Sequence, residues 1–295
     1  MFIVRSLSRL LFVVTLGAFV AFLFLHRSEV DSRGPVINIE EPLIEVSVED
    51  GDERFLEGVT AMDSSDGDVT ESVAVENVSN FYSNGKRLIT YVAFDSDNHV
   101  GRNTRELRYK DYEPPRFVLE KPLQFLPGSV NLMISAKDCL DGDISSAIKL
   151  VSNDSITPDQ PGEYKATFQV ANSAGDVSSL PVTIEIMKNE NEVVPVLNLD
   201  TYLEYIHKGD DFDSYDHLET IQISNREYRV VEGQGNFGEK ISSDTERVIG
   251  TDMIKVTGDV DTDKPGTYEV RYSITVDKGN NEFISGHTVM YVVVR

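Results

Sequence analysis

Polar and apolar positions follow two different rhythms along this chain. From Leu10 to Leu25, sixteen consecutive residues (LLFVVTLGAFVAFLFL) carry no charge, enough as a helix for about 24 Å at roughly 1.5 Å per residue. That falls slightly short of a ~30 Å hydrocarbon core, but Arg9 can snorkel along its methylenes and Ser6, Leu7 and Ser8 can lengthen the helix. A cleaved signal peptide would share these features and needs small residues one and three positions before the cut. Here the run ends Phe22-Leu23-Phe24-Leu25-His26-Arg27, and Ala21 has Phe19 two positions before it. The expectation is an uncleaved signal-anchor: residues 1–9 cytoplasmic, residues 10–25 a transmembrane helix, residues 26–34 a linker and the rest extracellular. Arg5 and Arg9 favour that orientation, while Arg27 and Arg33 weaken it.

Beyond residue 33 the rhythm becomes one of alternation. Ile44, Val46 and Val48 alternate with polar residues, as do Tyr164, Ala166, Phe168 and Val170, and Tyr268, Val270, Tyr272 and Ile274. Gly, Asn, Asp or Pro closes each short run, and no capped helical run of useful length follows. The pattern also repeats. Val59 to Thr70 (VTAMDSSDGDVT) aligns without a gap with Ile134 to Ser145 (ISAKDCLDGDIS), and a turn glycine precedes an aromatic by six residues at Gly85/Tyr91, Gly162/Phe168 and Gly266/Tyr272. Prolines open the copies at Pro35, Pro114-Pro115 and Pro195, stiff boundaries that resist edge pairing. Copies of about 75 residues in short strands predict small β-sandwiches. With one cysteine and no tryptophan, each must be held by its aliphatic and aromatic core. The expected fold is all-β: three tandem sandwiches at 35–110, 111–189 and 190–295, preceded by one N-terminal transmembrane helix. The third copy lacks the Asp-Gly-Asp turn and carries an insertion at about 224–252, expected as a loop.

The order Gly51-Asp52 with Phe55, Val59 to Thr70, Pro161-Gly162-Glu163-Tyr164, and Asp277-Lys278-Gly279-Asn280 resembles the bacterial Ig-like repeat family. That family occurs in tandem on cell-surface proteins and was also named from a pesticidal crystal toxin. The resemblance covers residues 35 to 295, with Asn84-Gly85 in place of Pro-Gly in the first copy. It implies surface display and binding to a cell-surface protein or glycan, not a reaction.

Charge narrows the partners. Fifty acidic against 27 basic residues give −23, which opposes sequence-independent nucleic-acid binding. Part of the excess gathers at the repeated turns. Asp63, Asp66, Asp68 and Asp138, Asp141, Asp143 each put three carboxylates within six residues around a glycine, an oxygen density suited to Ca²⁺; Asp95 and Asp97 could complete the first site. The competing reading is that these aspartates form Asx-turns and cap backbone amides, so Ca²⁺ is the one cofactor in question. Ser146-Ala147-Ile148-Lys149 and Ser96-Asp97-Asn98 match fragments of a serine acyl-enzyme signature, but the order is reversed and K-T-G is absent. The five histidines lack metal-ligand spacing, and Cys139 among carboxylates makes a poor thiolate. The expectation is a non-catalytic surface adhesion, spacing or protein-binding chain. The alternatives are a carbohydrate or cell-wall binding module, or the extracytoplasmic arm of a membrane complex, for which Gly17, Ala18 and Ala21 would supply a small-residue helix face.

Overall fold

The computed structural model describes residues 11–22, 33–83, 85–151, 156–188, 194–233, 248–277 and 282–295. Residues 11–22 form an exposed α-helix in which the Thr15 hydroxyl donates to the Leu11 and Phe12 carbonyls at 3.0 Å. Among the described residues no helix is long and apolar enough to cross a membrane; both ends of the expected 10–25 span, with residues 1–9 and most of the linker, lie outside them. After residue 33 the described residues form strands, turns, short 3₁₀ helices and irregular connections, as the alternation predicts.

The chain divides into two compact units, Met1–Tyr112 and Glu113–Arg295. In the first, the three-stranded sheet built on Val36–Ile39 and Val59–Asp63 faces the four-stranded sheet of Leu43–Val46, Val100–Tyr109, Lys86–Phe94 and Ala74–Val78. Ile37, Val59 and Ala61 from one sheet and Ile44, Ile89, Tyr91 and Leu107 from the other close a single core. The opening segment serves both sheets. Val36–Ile39 pairs antiparallel with Val59–Asp63, and after Pro42 Leu43–Val46 pairs parallel with the last strand. Glycine is required at one point here: a Cβ on Gly101 would lie 1.8 Å from the Pro35 carbonyl oxygen.

The second unit repeats this arrangement twice. Arg116–Leu119 and Gln124–Phe125 divide between sheets in the same way, as do Val196–Leu199 and Leu203–Ile206. The aromatics six residues after the turn glycines are all core: Tyr91 and Tyr272 are fully buried and Phe168 nearly so.

The insertion departs from expectation. Instead of a loop, Arg226–Val231 pairs antiparallel with Leu218–Ile223 and parallel with Val248–Gly250, and Val248 and Ile249 are buried. The insertion thereby supplies two of this sheet's four strands, where the counterpart sheets of the other copies have three. The Gly235–Gly238 stretch lies outside the described residues.

The two sandwiches of this unit share one continuous core and meet through side chains that point away from their own interiors. The Tyr291 hydroxyl donates to the Thr183 carbonyl at 3.0 Å and accepts from its N–H at 2.8 Å; burial holds this phenol protonated. Phe117 N–H donates to the Tyr205 hydroxyl at 2.9 Å, and Arg295 lies 4.3 Å over the Tyr205 ring while reaching the Pro115 carbonyl at 3.0 Å. Arg271 pairs with Glu163 at 2.8 Å.

Candidate functional site

The acidic turns are built almost identically in the first and second copies. Asp63 Oδ1 accepts the N–H groups of Ser65 and Asp66 at 2.8 and 3.0 Å; Asp138 Oδ1 accepts those of Leu140 and Asp141 at 2.9 and 3.0 Å. Gly67 and Gly142 then take positive φ, at 77° and 72°, which a Cβ would disfavour. Asp68 and Asp143 each cap the N–H two residues on, at 2.9 Å. Hydrogen bonds from Thr70 and Ser145 hold these two carboxyls below the ordinary aspartate range. The hydroxyls of Thr70 and Ser145 in turn accept the Ala61 and Ala136 N–H groups, at 3.1 and 3.0 Å.

The central aspartate reaches across the sandwich. Asp66 takes the Ser96 N–H at 2.7 Å and its hydroxyl at 2.9 Å, and Asp141 takes the same groups of Ser173 at 2.5 and 2.7 Å. Each bond ties the turn of one sheet to the hairpin tip of the other. Asp138, 7% exposed, also accepts the Asn172 amide at 3.1 Å. Asp95 stands where Asn172 does and accepts the His99 N–H at 2.7 Å, with the imidazole Nδ1 2.8 Å from its second oxygen.

A calcium site needs several oxygens converging on one point. Each of these carboxylates accepts from its own backbone or hydroxyl donor. Among the described residues no group of three or more His, Cys, Asp or Glu side chains is arranged to hold a metal ion.

The other motifs are also absorbed into structure. In Pro-Gly-x-Tyr the ring lies over the glycine and the hydroxyl donates four residues back, Tyr164 to Gln160 and Tyr268 to Lys264, both at 2.8 Å. In the first copy Arg87 stands at the tyrosine's position and donates eight residues back, to the Ser79 carbonyl at 2.6 Å. Ser96 serves the Asp66 tie. The Cys139 thiol donates to the Glu113 carbonyl at 3.1 Å; partial burial, with Asp138 and Glu113 nearby, pushes its pKa up.

Sequence reasoning missed a cleft of about 870 Å³ in the second unit, where its two sandwiches adjoin. On its wall Glu185 Oε2 accepts both His287 Nε2 at 2.6 Å and Gln124 Nε2 at 2.9 Å. Burial raises the Glu185 pKa, but these bonds and the electrostatic influence of His287 and Arg271 outweigh it and the net shift is downward. Leu126 and Val196 stay exposed at its rim. The available signal was loss of alternation in His287-Thr288-Val289-Met290-Tyr291-Val292-Val293-Val294, which reads as a strand covered on both faces.

Residues 221–285 match the family model described as bacterial surface protein, Ig-like domain. The chain is 33% identical over 102 residues to an uncharacterized 81.3 kDa protein of Acholeplasma phage L2, covering 34% of this chain and 13% of that one. It is 24% identical over 223 residues to the pesticidal crystal protein Cry22Aa of Bacillus thuringiensis, covering 73% and 27%. The chain thus spans about a quarter or less of the length of these relatives. Among solved structures, CBM51-2 with INT domains of Clostridium perfringens ZmpB is 16% identical over 50% of this chain and 26% of that one, at a TM-score of 0.21. The Protocadherin GammaB4 extracellular domain is 13% identical over 90% and 49%, at 0.19. Scores this low carry no argument about function.

Proposed function

We propose that this chain is a non-catalytic surface protein whose Ig-like sandwiches serve adhesion, spacing or protein binding outside the cell. The observation that carries the reading is the match of residues 221–285 to a bacterial surface Ig-like domain. It is supported by the fate of the reactive side chains: serines, aspartates and Cys139 near the turns are engaged in bonds that hold the sandwiches. The proposed layout is a cytoplasmic segment 1–9, an anchor 10–25, a linker 26–34 and sandwiches at 35–110, 111–189 and 190–295. The exposed apolar helix at 11–22 favours the anchor.

A glycan-binding face would present exposed, coplanar rings. The aromatic cluster of Phe81, Tyr109 and Tyr112 has rings inclined at 36°, 40° and 61° to one another, so protein binding is preferred. Protease treatment of intact cells, followed by alkaline extraction of membranes, tests the reading. The sandwiches should be digested from outside and the residual anchor should resist extraction. Protection of the sandwiches in intact cells would overturn surface display; release of the full chain by alkali would overturn the anchor.

A further inference from the structure

The cleft in the second unit has a chemistry of its own. One open strand edge lines it. Gln124–Phe125 lies at the outer edge of its sheet, beside Val177–Ile186; across the cleft the edge of Val196–Leu199 is covered within its own sandwich, where the Tyr202 hydroxyl bonds the Leu197 carbonyl and the Leu199 N–H at 3.4 Å and the Pro195 carbonyl abuts Gly286. The parallel register Gln124↔Glu185, with Glu185 and Met187 N–H groups taking the Leu123 and Phe125 carbonyls at 2.9 Å, turns the backbone N–H and C=O of Gln124 to the open side. Unpaired strand edges are templates for another backbone. Leu126 and Val196, 38% and 45% exposed, offer apolar contact in the cleft. Among the described residues no Phe, Tyr or Trp lines the cleft, so a sugar would find no ring there to stack on. At about 870 Å³ the volume falls within the range of ligand sites. The cleft is also continuous with an established interface, because Glu185 and His287, which join the two sandwiches, form part of its wall.

We propose that this cleft binds an extended peptide segment of a protein partner, adding it as a strand along Gln124–Phe125, with apolar side chains against Leu126 and Val196. The site exists only while the two sandwiches are docked, so peptide binding and docking strengthen each other. The proposal rests on the protein-binding reading above and supplies its ligand class.

The test pans a phage-displayed library of short peptides against the purified full chain and measures enriched peptides by fluorescence anisotropy. Val196→Glu and Leu126→Glu alter side chains that are already exposed, and Val177→Glu, exposed and outside the cleft, is the control. Affinity should fall by about tenfold or more in each cleft variant and stay within about twofold in the control. Hydrogen exchange on the wild-type chain with bound peptide should show protection at residues 122–126, a readout independent of variant folding. Failure to enrich any peptide, equal affinity in the cleft variants, protection only elsewhere, or cleft-dependent binding to a glycan array instead would each overturn the proposal. These outcomes do not depend on localisation, so they stay distinguishable from failure of surface display in the intact-cell experiment.

Discussion

The last strand of the first unit, Val100–Tyr109, and that of the second, Phe283–Val294, occupy the same place in their sandwiches. The buried tyrosines fix the equivalence: Tyr91 pairs with Asn103 and Tyr272 with Thr288. Facing inward, both strands are core. Facing outward they diverge. Arg102, Thr104, Glu106 and Arg108 form a charged face with exposed pairs to Glu76, Lys86 and Glu45; the equivalent His287, Val289, Tyr291 and Val293 lie against a neighbouring sandwich. The lesson is that outward positions decide whether a sandwich presents a solvated face or acquires a partner, while inward positions fix only that it is a sandwich.

The comparison can be broken from either side, and the largest effect should come from Tyr291. Tyr291→Ala removes a buried ring and leaves both backbone groups of Thr183 unpaired, and should cost the second unit about 3–5 kcal/mol in chemical denaturation. Tyr291→Phe keeps the ring and should cost about 1–3 kcal/mol. The equivalent Glu106→Ala in the first unit should stay within about 0.5 kcal/mol; a comparable loss there would erase the distinction.

Asp138→Ala should be intermediate, about 1–3 kcal/mol, because it frees two turn amides and the buried Asn172 side chain. The third copy shows the alternative: by register Ile223 and Val276, both buried, replace Asp138 and Asn172, and the strands run on past the point where the acidic turn would close.

Acid should also separate the faces. The Glu185 pKa is lowered in the folded state, so its contribution is complete above the ordinary glutamate value of about 4.3 and is lost as pH falls through the lower folded value. Thermal melts of the full chain at descending pH should show this limb in the second unit, and Glu185→Gln should remove it. The smallest effect expected is from calcium: because the turn carboxylates already accept from backbone and hydroxyl donors of the protein, millimolar Ca²⁺ should leave both unfolding transitions within about 1 °C. A larger upward shift would show that the turns rearrange around the ion.

Much of the architecture was legible because it is local. The Gly-Asp-x-x-Phe signature places Phe55, and its carbonyl takes the Tyr91 hydroxyl at 2.6 Å; Pro-Gly-x-Tyr carries its own hydrogen bond within four residues. The acidic turns were legible as turns but not in purpose, since the choice between ion and amide depends on Ser96 and Ser173, about thirty residues away in the chain. The insertion reads as a loop in the sequence because Arg226–Val231 follows the turn at Ser224 closely and its second partner, Val248–Gly250, lies beyond a long polar stretch.

The sequence by itself determined the strands, the turns and the inward face of each sandwich, because alternation, glycine placement and short-range hydrogen bonds depend on neighbours in the chain. Only the tertiary structure decided that the outward face of Phe283–Val294 is buried, that Glu185, Gln124 and His287 form one network, and that the open edge of Gln124–Phe125 borders the cleft. Those features join residues from 61 to 108 positions apart, and burial on an outward face depends on which surface it meets, a property that no local pattern carries.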